Sequence, residues 1–382
     1  MSAPIAIAAG GTGGHFFPAE ALGTELAARG HDLVLMTDRR HGKRETRCFA
    51  TRPQYVLDGA GIAGKGALAK AMGALALWRG MRQARKALED VRPSALIGFG
   101  GYPSVPPLMA ARFIPRDRRP AIIIHEGNAV LGRANALIAR HADAIATSFP
   151  SVAKLPKGAD VTLTGMPVRA QIAALHDVPY TPPQEAIRLL VWGGSLGARV
   201  FSDIVPDALA ALPEGFRARL VVTQQVRAED LERVRSAYGH IGIQATVAPF
   251  FDDVASLLKS AHLVIGRAGG SSVAEIALAG RPSLLVPLPI AASDEQGANA
   301  SALQDAGGAW MIRQPDFTSQ VLAGRLGALL SSSRRLAEAA AAARQFGRPD
   351  AVSHLADLVE ATIASRPSPV PSPALTAAPD TP

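Results

Sequence analysis

The 382-residue sequence contains one cysteine, Cys48, so no disulfide can close within the chain. Such a composition fits a reducing compartment. Aromatic residues make up only 5 %, with three tryptophans among them, and no nucleic-acid-binding motif is present. Both absences argue against a nucleic-acid binder. Nowhere do about 18 apolar residues run without a charge, so no transmembrane helix is expected. The opening "MSAPIAIAAGG" lacks the charged n-region and long apolar stretch of a signal peptide, which predicts a cytoplasmic protein. Metal-ligand patterns are missing as well: there is no D-x-D, no H-E-x-x-H and no cysteine cluster, and "HEG" at 125–127 has no second histidine. Neither a metal nor a cofactor is expected. The dinucleotide fingerprint is absent because His15 stands where "GGTGGH" would need its third glycine, which weakens an oxidoreductase reading. No G-K-[ST] follows, so this is not a Walker loop either.

What remains is an apolar, basic chain. Hydrophobic residues make up 48 %, and the formal net charge of +8 predicts an anionic partner. Continuous β-rich runs alternate with helical segments: 5–9, 33–37, 95–99, 121–125 and 144–148, then 187–192, 219–223, 245–249, 262–266 and 283–287. Unbroken apolar runs indicate strands buried on both faces, and the alternation indicates parallel sheets built from βαβ units. The segment 18–30, "PAEALGTELAARG", reads as a helix with Pro18 at its first position and a glycine at its end.

A weak internal duplication divides the chain. "IAIAAGGTGGH" resembles "LLVWGGSLGAR" (189–199), and "LIGFGGYPS" (96–104) resembles "VIGRAGGSS" (264–272). Two α/β halves facing a cleft account for this, with domains expected at 1–165 and 166–350. The proline-bearing stretch 164–186 reads as an extended linker, and the Pro/Ala/Ser-rich 365–382 as a disordered tail.

Glycine turns between a strand and a helix aim backbone N–H groups and a helix dipole at one spot, a geometry suited to phosphate. Four such turns in two halves predict a split phosphate or nucleotide cleft. Within "GRAGGSSVAEIALAG" (266–280), Ser272 and Glu275 have the spacing of a capping box, and spacing alone favours that reading. The alternative is a Glu275 carboxylate that takes both hydroxyls of a ribose. Without a metal, a leaving diphosphate must be stabilised by arginine, backbone N–H groups and helix termini. Arg169, Arg199 and Arg267 stand beside glycine or proline turns, although each taken alone reads as a solvated surface residue.

Taken in order, "GGTGGHFFPAEAL", "GFGGYPSVPPLMAA", "HEGNAVLGRAN", "TGMPVR", "WGGSLGAR" and "GRAGGSSVAEIALAG…DEQGANA" resemble the family of undecaprenyldiphospho-muramoylpentapeptide β-N-acetylglucosaminyltransferases of bacterial peptidoglycan synthesis. The resemblance runs from about residue 5 to about residue 350. It implies a GT-B fold, two Rossmann-like domains facing a cleft, and an inverting, metal-independent transfer. UDP-N-acetylglucosamine would be the donor, held by the second half, and lipid I the acceptor, held by the first. The product would be lipid II. Such an enzyme would work at the cytoplasmic face of the inner membrane, with the anionic membrane surface and other cell-wall synthesis proteins as partners and no nucleic acid.

Carried over position by position, the resemblance makes Glu275 the ribose ligand, reversing the preference drawn from spacing. Ser195 and Arg169 become diphosphate contacts, and Arg267 with Gly270, Ser271 and Ser272 the segment that wraps sugar and phosphate. Phe251 falls where a backbone group reads the uracil edge, Gln296 where sugar hydroxyls bind, and Asn128 between the donor and acceptor sites. Thr12, Gly13, Gly14 and His15 form the acceptor loop, with His15 as candidate base or diphosphate ligand. Gly127, Met166, Leu196 and Gly297 depart from the pattern, each removing a polar side chain near the cleft. The basic-apolar stretch 65–90, with Trp78, Lys65, Lys70, Arg79, Arg82, Arg85 and Lys86, reads as a helix that both packs on the first sheet and faces lipid. A UDP-N-acetylglucosamine 2-epimerase of the same architecture is the nearest rival reading.

Overall fold

A computed structural model of the chain describes residues 3–10, 13–39, 47–58, 67–194, 197–289 and 293–366. Thr12, Lys65, Ser195, Leu196 and most of the tail lie outside the described residues, as does the side chain of Lys70.

Two parallel sheets form. The first holds β1 (Ile5–Ala8), β2 (Leu33–Asp38), β3 (Gln54–Leu57), β4 (Ala95–Gly98), β5 (Ala121–Glu126), β6 (Ala144–Thr147) and β7 (Val161–Leu163), in the order β3-β2-β1-β4-β5-β6-β7. The second holds β8 (Ile187–Trp192), β9 (Leu220–Gln225), β10 (Gln244–Ala248), β11 (Leu263–Gly266), β12 (Ser283–Leu285) and β13 (Ala309–Met311), in the order β10-β9-β8-β11-β12-β13. Every expected strand is present. Strands β3, β7 and β13 were not anticipated: each is three or four residues long, lies at a sheet edge and is not buried throughout. β3 and β7 are interrupted by Gln54 and Thr162 and lack the unbroken apolar run of β1 and β4, whose residues are all buried, while β13 is apolar but only three residues long.

In both sheets the chain order reverses beside the first strand, between β1 and β4 and between β8 and β11. Ligands of doubly wound sheets bind at such switch points, outside the carboxyl ends of the strands. The four glycine turns follow those four strands, so topology brings the repeated motif to two facing sites.

Three expectations are corrected. The first helix spans Gly13–Ala28, so Pro18 lies inside it rather than at its first position. A proline this close to the start forgoes only the bond to the Gly14 carbonyl, and the glycine turn itself supplies the first helical turn. The stretch 164–186 is more than an extended linker. Met166, Val168, Ile172 and Leu175 are buried in the second half's core, and short helices form at Ala170–Ala173 and Ala174–Asp177. Its apolar residues, interleaved with the prolines, gain more by packing than by staying extended. Finally, Ser272 is not a helix cap, as described below.

The last helix, Ala351–Ala364, follows the second half in sequence but packs into the core of the first sheet through Leu355, Ala356 and Val359. Arg29 pairs with Asp357 at 2.6 Å and Glu360 at 2.8 Å, and His31 meets Glu360 at 2.7 Å.

Candidate active site

A cavity of about 570 Å³ lies between the two halves. Of the sequence-chosen residues, Gly14, His15, Asn128, Arg267, Gly270, Ser271, Ser272 and Gln296 line it together. Gly13, Arg169, Phe251 and Glu275 are not among its lining residues. Arg199 lines it too, as do His125, Arg227, Glu295 and Gln314, which the sequence did not single out. Arg227 follows β9 by two residues, and position at a strand's carboxyl end was the signal available for it.

His15 stands in the first turn of its helix, half-buried against the turn after β4. There Gly100 and Gly101 have φ of 77° and 69°, a conformation that disfavours side chains, and a methyl on Gly101 would come within 3.2 Å of the imidazole. The His15 Nδ1 lies 2.9 Å from the Phe99 carbonyl. A carbonyl only accepts, so this contact assigns the proton to Nδ1 and leaves Nε2 with its lone pair. Burial pushes the imidazole below its ordinary 6.5, against the opposing pull of the Phe99 carbonyl and Glu295. His15 is therefore neutral near pH 7, the state a base needs. His125, fully enclosed and bonded to the Gly165 carbonyl at 3.1 Å, is pushed by burial down to about 4 and stays neutral.

In the second half, the helix Gly270–Leu278 begins at the cleft with Gly269 as its cap and no side-chain capping bond. Ser272 is thus the third helical residue, and the capping box with Glu275 does not form. The first-turn N–H groups are left for a ligand, and the helix dipole favours an anion there. Arg267 is buried beside them and donates to the Val286 and Pro287 carbonyls at 3.0 and 3.3 Å. Burial lowers it to about 10, which leaves it cationic at neutral pH. Gln296 spends its oxygen on the Ala268 and Leu288 amides at 3.2 and 3.0 Å, so the group it presents to a ligand is its NH₂ donor. Glu275 lies 3.9 Å from Arg169, whose guanidinium also sits 5.2 Å over the Phe17 ring. Burial pushes the Glu275 carboxyl up to about 7, with Arg169 opposing.

The departures have a steric logic. A Cβ at Gly127 would meet the Met166 methyl at 2.8 Å, so Met166 occupies the space a side chain at 127 would need. At Gly297 a Cβ would lie 2.3 Å from Arg313 and from Asp294, inside their ion pair. Across the cleft, a Cβ at Gly270 would lie 1.9 Å from the Gly127 carbonyl oxygen. Among the described residues no group of three or more His, Cys, Asp or Glu side chains is placed to hold a metal.

Residues 5–147 match the N-terminal domain of glycosyltransferase family 28, and residues 188–355 match its C-terminal domain. The chain belongs to glycosyltransferase family 28. A Gluconobacter oxydans relative is 63 % identical over 365 residues, 96 % of this chain and 100 % of that protein. It is named UDP-N-acetylglucosamine–N-acetylmuramyl-(pentapeptide) pyrophosphoryl-undecaprenol N-acetylglucosamine transferase. Among solved structures, Acinetobacter baumannii MurG superposes with a TM-score of 0.75 at 29 % identity, covering 94 % of this chain and 99 % of that one. A putative UDP-N-acetylglucosamine 2-epimerase from Listeria monocytogenes reaches 0.67 at 16 % identity, over 97 % of this chain and 99 % of that one; it shares the fold alone. The two sheets and the family match establish the GT-B architecture.

Proposed function

We propose that this family 28 glycosyltransferase transfers N-acetylglucosamine from UDP-N-acetylglucosamine to the 4-hydroxyl of the muramoyl sugar of lipid I, giving lipid II. The observation that carries the reading is full-length identity of 63 % to a relative bearing that name. The cleft supports it with the means for both ends of the reaction. The acceptor hydroxyl attacks the anomeric carbon, its proton passes to Nε2 of His15, and the bond to UDP breaks with its electron pair on the diphosphate. The N–H groups at the start of Gly270–Leu278, together with Arg267, stabilise that developing charge. Incubating the chain with UDP-N-acetylglucosamine and a lipid I analogue in EDTA should add one N-acetylhexosamine to the acceptor's mass. An epimerase would instead yield UDP-N-acetylmannosamine with no acceptor needed.

Glu275 is the proposed ribose ligand, with Arg169 and Ser195 at the diphosphate and the Phe251 backbone at the uracil edge. Hydroxyl donors bind the ionised carboxylate, and the empty-site value of about 7 means that protons compete. UDP affinity is therefore expected to weaken between pH 8 and pH 6, by about tenfold where each pH unit below the carboxyl's value costs a factor of ten. Titration calorimetry checks this: Glu275→Gln should flatten the slope, and an equal slope in that variant removes Glu275 from the site.

The membrane-facing role falls to the helix Ala67–Val91. Its inner side buries Ala84, Ala87 and Leu88, while Met72, Leu75 and Trp78 are exposed, with the Arg82 guanidinium 4.9 Å over the Trp78 ring. Exposed Arg79, Arg85 and Lys86 flank them. No helix among the described residues is long and apolar enough to cross a membrane. The exposed row suits a surface that inserts its apolar side among anionic headgroups. Flotation with acidic liposomes should recover the protein and lose it with rising salt, and Trp78→Glu should reduce recovery several-fold. Salt-insensitive absence of binding removes this role.

A further inference from the structure

Asn299 lies in the helix Glu295–Asp305 of the second half and is completely buried. Its Oδ1 accepts the Ala129 N–H at 2.7 Å, while its Nδ2 donates to Asn128 Oδ1 and to the Ala268 carbonyl, both at 3.0 Å. Both hydrogens and the oxygen of this one amide are therefore used, and two of the three bonds cross to the first half. Asn128 donates in turn to Glu126 Oε1 at 3.2 Å. That carboxylate also holds the backbone N–H groups of Asn128 and Gly132 and the Asn135 amide, at 3.0, 2.8 and 2.9 Å. Asn135 reaches the turn on which His15 rests: a methyl at Gly100 would lie 3.4 Å from Asn135 Nδ2 and 3.7 Å from His15 Cε1. At the other end, Ala268 opens the turn into the helix Gly270–Leu278. Hydrogen bonds thus run from the anion-binding helix start through Asn299, Asn128 and Glu126 to Asn135, whose amide packs beside the same glycine turn as His15.

We propose that Asn299 is a positioning residue, a buried polar staple that sets the spacing between His15 and the glycine turn of the second half. Apolar seams tolerate sliding, whereas hydrogen bonds demand distance and angle. A seam displaced here would leave Asn299, Ala129 and Ala268 unpaired together, each with its desolvation unrelieved. Geometric precision across a transfer site is worth a large factor in rate, because misplacement by about 1 Å can cost 10²-fold. The inference rests on the transfer reading for its catalytic consequence, but not for its structural one.

The test compares the full chain with Asn299→Ala and with the isosteric Asn299→Asp, which turns an oxygen towards Asn128 Oδ1 and the Ala268 carbonyl. Expected for both are a fall in kcat on the order of 30-fold, a Kd for UDP within about threefold of native, a cooperative thermal melt and a larger radius of gyration by small-angle scattering. A donor-side defect would raise the UDP Kd in step with the loss of kcat, and that result overturns the positioning role. So does native kcat with an unchanged radius of gyration, or loss of the cooperative melt in both variants, which would make Asn299 a folding residue. No transfer by the native protein would overturn the catalytic reading alone, and the radius of gyration would still decide the staple.

Discussion

His15→Ala is expected to lower kcat by ~100-fold or more, the range for a lost general base, with UDP affinity unchanged. The Phe99 carbonyl can only accept and so holds the Nδ1 proton, leaving Nε2 unprotonated in the neutral ring. In that state Nε2 can accept a proton but has none with which to hold a diphosphate. A ligand role would require the imidazolium, and burial disfavours the charged form. The two roles differ in pH dependence. A base must be neutral, so activity is lost as pH falls through the His15 value, which lies below 6.5. A diphosphate ligand must be charged, so activity would rise over the same interval. At saturating donor, where the Glu275 effect on nucleotide affinity drops out, the kcat profile of the native enzyme should therefore show an acid limb below pH 6.5 that His15→Ala abolishes. Near-native turnover in the variant, or activity climbing with acidity, excludes the base.

Gly270→Ala is expected to cost activity on a similar scale, on the order of 10²-fold in kcat/KM, although alanine is the smallest substitution available. The added methyl would stand 1.9 Å from the Gly127 carbonyl oxygen and 3.3 Å from Asn128 Oδ1. The nearest obstacle is backbone, which no rotamer change can move. Relief must come from separating the halves at the seam, and that also pulls on the Asn128–Asn299 bond. Ser271→Ala, one residue on, adds no atom and serves as the size control. The expected pair of results is a large loss for Gly270→Ala with a smaller one for Ser271→Ala, both read as kcat/KM at fixed acceptor. Equal small losses would show that the seam yields without consequence.

Much of the architecture was legible because its cause is local. Short unbroken apolar runs rich in β-branched residues, such as "AIIIH", fit strands buried on both sides, and the glycine turns follow four of them. Edge strands β3 and β7 were not legible, since Gln54 and Thr162 interrupt them, and β13, although apolar, is only three residues long. The site divides in the same way. His15, Asn128, Ser271, Ser272 and Gln296 sit in recognisable motifs, and the fold brings them to one cavity. Arg227 was marked only by its position after β9, and Asn299 owes its place to pairing across a long sequence separation. Asn299 meets Asn128 over 171 positions, a distance no local pattern encodes. The capping-box spacing of Ser272 and Glu275 misled because the helix begins at Gly270, one turn earlier than a Ser272 cap requires.

The central claim is that the sugar moves to the lipid-linked acceptor within this cleft. Measuring UDP release and disaccharide-lipid formation in the same reaction, with and without the lipid I analogue, tests it most directly. The account predicts release only when acceptor is present, one UDP for each disaccharide formed. UDP released without acceptor, or a sugar nucleotide altered while the acceptor stays unchanged, would contradict it.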